Sequence, residues 1–187
     1  MTTTTERPAA GGAIHVVYAS HDGQAERIAS RIAERLGARR GGVTLTRLAD
    51  VPPAVDGAAL VVLVAAIRYG VHLKPARRFA AAWGDRAEPP LAVVSVCLTA
   101  RKPSRRSAES NPYLRKFLAR HRLAPVAATA VAGKLDYPRY RPFDRLMIRL
   151  IMTMTGGPTD PATVIEYTDW GQVDAFADDL ARRYPDA

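Results

Sequence analysis

Three short stretches of this sequence carry residue types that could hold a phosphorylated, planar ligand. The first, Ser20-His21-Asp22-Gly23-Gln24-Ala25, follows an apolar run and stands directly before a helical pattern. Small and hydroxyl residues there leave backbone N–H groups free at a helix N-terminus, where a phosphate is stabilised. The second is Ala66-Ile67-Arg68-Tyr69-Gly70 and the third Leu98-Thr99-Ala100-Arg101-Lys102-Pro103. An aromatic and two small-residue turns along one edge suit the two faces of a flat ring. Each stretch alone is a weak signal, since a turn of the first type is more often only a turn.

Other chemistries find less support. The sequence has no GxGxxG and no GxxxxGK, so the dinucleotide and P-loop fingerprints are absent. His15, His21, His72 and His121 have no ligand spacing and no cysteine partners, which argues against a metal site. Cys97, the single cysteine, excludes an internal disulfide and fits a reducing cytoplasm. At the end of an apolar run it reads as a structural thiol, although its place beside the third stretch leaves a redox role open.

The elements that must position these stretches alternate. Apolar runs predict strands over 13–19, 43–48, 59–67, 91–98 and 126–132; helical periodicity predicts helices over 24–36, 72–83 and 112–121, with a last helix capped by Thr168. Such alternation predicts an α/β fold, a doubly wound five-stranded parallel sheet in the order 2-1-3-4-5. In that architecture ligands collect at the carboxyl ends of the strands, which is where all three stretches fall.

Residues 1–12 read as a disordered tail without the apolar segment of a signal peptide, and residues 13–187 as a single domain. The longest apolar run, Ala58 to Ile67, is too short to span a bilayer. Net charge is +9, yet Arg101 to Arg149 alone carries 13 Lys/Arg against 3 Asp/Glu. A near-neutral chain thus bears one basic segment suited to anions: lipid headgroups, a carboxylated substrate or nucleic acid. Few aromatics and no recognisable recognition module argue against nucleic acid.

An insertion, about 134–162, interrupts the path to the last helix. It contains a helix over 143–154 stopped by Gly156-Gly157-Pro158. Phe143, Leu146, Met147, Leu150, Ile151 and Met154 share one face, with Arg145 and Arg149 opposite and Ile148 and Met152 flanking them. The pattern predicts a helix docked by its apolar face; the apolar pair beside two arginines also suits a membrane-surface or lid role.

The stretches SHDGQ, AIRYG, ARKPSRR, NPYLRKFL, YPRYRPFDRLMIRLIM, TGGPTD and YTDW, in this order, resemble the menaquinone-dependent protoporphyrinogen IX dehydrogenase family, from about Ile14 to Leu180. The resemblance implies a flavodoxin-like fold, FMN as cofactor, and a role in haem biosynthesis. It places FMN at Ser20, His21, Asp22, Gly23, Gln24, Ala25, Arg68, Tyr69, Gly70, Leu98, Thr99, Ala100 and Arg101. Ala25 departs from the usual hydroxyl residue of the phosphate loop, and Cys97 from a polar Asn. The YPRYRxxDR block is the specific part, because generic flavodoxins lack it.

The same resemblance implies oxidation of protoporphyrinogen IX by six electrons in three two-electron cycles, each closed by menaquinone or ubiquinone. Two propionates on the substrate call for a basic rim, with candidates Arg101, Lys102, Arg105, Arg106, Arg139, Arg141 and Arg145. A membrane-dissolved quinone implies a cytoplasmic protein visiting the anionic inner face of the cell membrane. Two other classes remain at this stage: an NAD(P)H:quinone reductase or flavodoxin-type electron carrier, and a binding protein that has lost its flavin.

Overall fold

The computed structural model describes residues 12–39, 41–48 and 54–185. Apart from Gly12, the expected tail lies outside them. Five strands form the parallel sheet: β1 (Ile14–Ala19), β2 (Val43–Arg47), β3 (Leu60–Arg68), β5 (Leu91–Val96) and β6 (Ala127–Val131), in the order β2-β1-β3-β5-β6. A two-residue strand, β4 (Val71–His72), folds back antiparallel on the end of β3 and was not expected. With β4 set aside, the order is the one the alternation predicts.

Alternate residues of the central strands feed two apolar layers, as the pleat requires. Leu60, Val62 and Val64 of β3 join Ile14, Val16, Ile28, Ile32, Val173 and Leu180, beneath α1 (Gln24–Gly37) and α5 (Trp170–Arg183). Val61 and Leu63 join Val17, Phe79, Trp83, Val93, Leu114 and Phe117 on the opposite face, beneath α2 (Lys74–Trp83) and α3 (Pro112–His121). Each large side chain so buried stabilises the fold by about 1.5–3 kcal/mol. That is why β3 and β5 read as unbroken apolar runs.

The helices start and stop for local reasons. Asn111 caps α3, its side chain accepting from the N–H groups of Tyr113 and Leu114, both at 3.1 Å. The cap of α5 is Asp169, one residue beyond the expected Thr168, and it accepts from Gln172 N–H at 3.1 Å. Thr168 instead donates to the Ala132 carbonyl at 2.8 Å and accepts from Gln24 Nε2 at 2.8 Å. Arg31–Asp174 at 2.7 Å and Arg35–Asp178 at 2.5 Å pair α1 with α5.

The insertion leaves and returns through a two-stranded antiparallel ribbon, β7 (Lys134–Asp136) and β8 (Val164–Glu166). Between them lies α4 (Pro142–Thr155). Its orientation corrects the sequence expectation. Met152 is fully buried with Leu135, Tyr137 and Tyr140, and Ile148 packs against that cluster. Phe143, Leu146, Leu150 and Met154, expected to dock, are instead 55–80% exposed.

The reason is electrostatic. Asp144 on the inner face is held by Arg68, and Arg145 donates from Nε to the Tyr137 carbonyl at 3.2 Å. These polar anchors fix the rotation of the helix and leave its apolar stripe outside. Gly156, at φ 68°, closes α4, and a Cβ on Gly157 would overlap the Met152 methyl.

Candidate functional site

The order β2-β1-β3 makes the chain cross β1 on its way from β2 to β3, so loops diverge at the carboxyl ends of β1 and β3 and leave a crevice there. The crevice holds about 930 Å³ of empty space, its open mouth included. Four walls form it.

The first wall is the loop from β1 into α1. Ser20 is buried, and its Oγ accepts from Gly23 N–H at 3.1 Å. Gly23 is the N-cap, at φ 90°, where a residue with a Cβ would be strained. No side chain caps α1, so its first N–H groups and the positive end of its dipole face an approaching anion. Gln24 and Ala25 line the crevice at this start. The Gln24 side chain is engaged elsewhere, donating to Glu166 at 3.1 Å and to Thr168.

The second wall is the turn after β3. Tyr69 and Gly70 both adopt positive φ, 51° and 78°. A tyrosine held in the left-handed region is a local cost that the flanking β3–β4 pair enforces. The result is an aromatic ring presented at the mouth, 42% exposed, with the Arg68 guanidinium carbon 5.3 Å from its centroid.

The third wall follows β5. Leu98 and Thr99 line the crevice, as does Cys97, whose Sγ lies 3.2 Å from Thr99 Oγ1 and 3.4 Å from Asn111 Nδ2. The fourth wall comes from the insertion: Lys134, Tyr140, Ile148 and Ile151. Burial first of all pushes the Tyr140 hydroxyl above its ordinary pKa, so it stays protonated at neutral pH.

Of the thirteen residues expected at a cofactor, ten line this crevice: Ser20, His21, Asp22, Gln24, Ala25, Arg68, Tyr69, Gly70, Leu98 and Thr99. Gly23 shapes the loop without lining it. Ala100 is buried behind the wall, and Arg101 donates to the Leu98 carbonyl at 3.3 Å. Sequence reasoning missed Tyr113, Gly133, Lys134, Tyr140, Ile148 and Ile151. Tyr113 and Tyr140 lie inside blocks that carried the family resemblance, which was the available signal.

The basic candidates separate. Arg106 is paired with Asp169 at 2.8 Å. The Asp169 carboxyl is held below its usual range by the Gln172 N–H and then by Arg106. Arg105 donates to the Ser110 carbonyl at 3.0 Å, and Arg145 is turned inward to backbone carbonyls. Lys102, Arg139 and Arg141 are exposed. Among the described residues no group of three or more His, Cys, Asp or Glu could hold a metal, and no helix is long and apolar enough to cross a membrane.

A parallel 2-1-3 sheet with an uncapped helix start and an aromatic turn at its switch point defines a flavodoxin-type domain. A sequence model of the flavodoxin domain matches residues 15–162. Oxidised flavodoxin 1 from Bacillus cereus superposes with a TM-score of 0.54, covering 91% of this chain and 97% of its own at 15% identity. A Streptococcus pneumoniae flavodoxin gives 0.52, covering 91% and 99% at 13% identity. These likenesses concern the fold.

Two curated relatives are much nearer in sequence. Protoporphyrinogen IX dehydrogenase [quinone] of Escherichia coli K12 is 39% identical over 170 residues, 89% of this chain and 93% of that one. The Leishmania major protein of the same name is 38% identical over 181 residues, 89% of this chain and 73% of that one. The chain belongs to the protoporphyrinogen IX dehydrogenase family of flavodoxin-domain oxidoreductases.

Proposed function

We propose that this protein oxidises protoporphyrinogen IX to protoporphyrin IX, with FMN in the crevice and menaquinone or ubiquinone as electron acceptor, as a step of haem biosynthesis. The observation that carries the reading is an uncapped helix start in a crevice roofed by α4, in a chain 39% identical to a named dehydrogenase.

The residues fit the cofactor. The N–H groups at the start of α1, with Ser20, suit the phosphate; Tyr69 and Leu98 on opposite walls suit the two faces of a flat ring. When bound, FMN supplies reversible two-electron chemistry. The chain's own residues orient the partners, and Ile148 and Ile151 keep water from the roofed side.

The test is an anaerobic assay of the FMN-reconstituted protein, following porphyrin fluorescence with a menaquinone analogue present and absent. Quinone-dependent fluorescence is the expected result. Bound flavin without porphyrin formation would place the protein among quinone reductases or electron carriers, and failure to hold FMN would leave a binding protein.

Ala25 offers a gain-of-function check. It is 1% exposed on the crevice floor, where a hydroxyl would reach the phosphate site. One added hydrogen bond to a charged group is worth roughly 1.5–3 kcal/mol. Ala25→Ser is therefore expected to tighten FMN about tenfold or more, read by flavin fluorescence quenching. An unchanged dissociation constant would remove Ala25 from the phosphate site.

We also propose peripheral contact with the anionic, cytoplasmic face of the cell membrane, through the outer stripe of α4. Phe143, Leu146, Leu150 and Met154 are exposed, and Arg149 lies exposed beside them. The only acid of α4, Asp144, points inward. An apolar stripe with a cationic flank and no exposed acid suits the interface of anionic lipid. Leu146→Glu with Leu150→Glu is expected to lower co-sedimentation with phosphatidylglycerol vesicles about tenfold, while turnover with a water-soluble quinone persists. Undiminished sedimentation would move the contact elsewhere.

A further inference from the structure

Beside the crevice lies a second cavity of about 910 Å³, open mouth included, that shares His21, Asp22, Arg68 and Tyr140 with it. Its remaining walls are Arg139, Arg141, Phe143 and Asp144. We propose that this cavity is a carboxylate-recognition subsite, in which Arg139 and Arg141 hold the acidic side chains of the tetrapyrrole while its ring system enters the neighbouring crevice. The inference rests on the substrate reading above and deepens it, narrowing a basic rim of seven candidates to two.

The charge balance decides which cations are available. Arg68 is committed: its guanidinium is ion-paired with Asp144, contacts His21, and lies 3.6 Å from Asp22. Both members of the Arg68–Asp144 pair are largely buried, at 17% and 12% side-chain exposure. Asp22 is further engaged by His21 at 2.9 Å. The two carboxylates that could repel an acidic ligand are thus already compensated.

Arg139 and Arg141 are different. Both are exposed, both line the cavity, and among the described residues their side chains have no hydrogen bond or ion pair. Arg105, Arg106 and Arg145, by contrast, are spent on Ser110, Asp169 and the Tyr137 carbonyl. Two free guanidinium forks suit bidentate recognition of carboxylates.

Their backbone positions are anchored. Arg139 closes a short 3-10 turn over Tyr137–Arg139, anchored by the buried Tyr137, whose hydroxyl donates to the Pro158 carbonyl at 2.9 Å. Arg141 immediately precedes α4, at its N-cap position, with extended backbone. The cavity also has an apolar edge: the Phe143 and Tyr69 rings meet edge to face, centroids 6.4 Å apart. Tyr69 lines the first crevice, so this pair forms an aromatic step from the acid-binding cavity to the ring site.

The test is equilibrium binding, independent of turnover: quenching of protoporphyrin IX and of its dimethyl ester by the FMN-loaded protein and by Arg139→Gln/Arg141→Gln. Wild type is expected to bind the diacid at least about 30-fold more tightly than the diester, and the double variant to bind the two nearly alike. Diester affinity and FMN content should not change, which separates a lost contact from a damaged fold. A double variant that still prefers the diacid as strongly as wild type overturns the proposal. The substrate reading fails by a different sign, namely no quinone-dependent oxidation of protoporphyrinogen by wild type, whatever the binding data. Vesicle co-sedimentation of the double variant should match wild type, which distinguishes a substrate carboxylate from a lipid phosphate; parallel loss of lipid binding with intact diacid preference would assign the arginines to headgroups instead.

Discussion

Asp144→Ala is expected to lower the stability of the protein by about 3 kcal/mol and to loosen α4 from the crevice. The carboxylate is 12% exposed and faces Arg68, itself 17% exposed. Removing it leaves a guanidinium charge partly desolvated, with only the more exposed Asp22, 3.6 Å away, as a substitute. That residual partner keeps the loss at the lower end of what breaking a buried pair costs. Urea denaturation measures the loss, and trypsin cleavage at Arg145 and Arg149 should accelerate because those sites sit on the released helix. The double change Arg68→Met/Asp144→Leu should recover most of the stability, since an apolar pair has no unpaired charge to desolvate. An alanine variant within about 0.5 kcal/mol of wild type, the spread of ordinary surface substitutions, would mean that α4 is held by Met152 and its neighbours alone.

The second large effect concerns pH. His72 is 4% exposed, its Nε2 lies 2.9 Å from Ser95 Oγ, and the Phe117 ring centroid is 4.1 Å away. Burial above all, then the neighbouring His121 and Arg77, lowers its pKa from 6.5 to about 3. The unfolded chain therefore takes up a proton below pH 6.5 that the native state refuses until about pH 3. Stability from this group is intact above 6.5 and falls as pH drops through that window, by about 5 kcal/mol over its full width. Desolvation lowers the His121 pKa too, and it acts in the same direction.

Asp169, Asp174, Asp178 and Glu166, whose pKa values are depressed by hydrogen bonds and cationic partners, lose their contributions only as pH falls below their unfolded values near 4. The interval from pH 6.5 to 4.5 thus isolates the histidines. Wild type should lose about 2–3 kcal/mol across it, and His72→Gln, which keeps a hydrogen-bonding group for Ser95, should flatten most of that slope. An equal slope in the variant would place the sensitivity outside His72. His72 pairs with Ile67 at the end of β3, so the residue that carries this pH dependence also anchors the turn that presents Tyr69.

The sheet was legible because β3 and β5 are buried on both faces, so Leu60 to Ala65 and Leu91 to Val94 advertise themselves as unbroken apolar runs. The crevice followed from topology: any loop leaving those strands at their carboxyl ends had to meet the others. β4 was not legible, because two residues carry no period. The rotation of α4 was misread for a physical reason. Its apolar stripe is the stronger pattern, but Asp144 and Arg145 find partners in Arg68, 76 residues away, and in the Tyr137 carbonyl, and such partners leave no trace in local periodicity. Ile148 was missed at the crevice through the same inversion, whereas Ile151, which belongs to the stripe expected to dock, does face inward.

The β7–β8 ribbon has a consequence for how such a chain can be assembled. Asp136 pairs with Val164, and Tyr137 N–H reaches the Thr163 carbonyl at 3.2 Å, so the long excursion departs and returns at neighbouring points. Its two ends are already as close as those of a tight hairpin, so its length hardly enters the entropy of closing the sheet. The excursion is modular in its connection: α4 and its arginines are carried on a hairpin whose ends meet at one point of the fold. The length and content of the excursion can therefore vary while the register of β1, β3, β5 and β6 stays as it is.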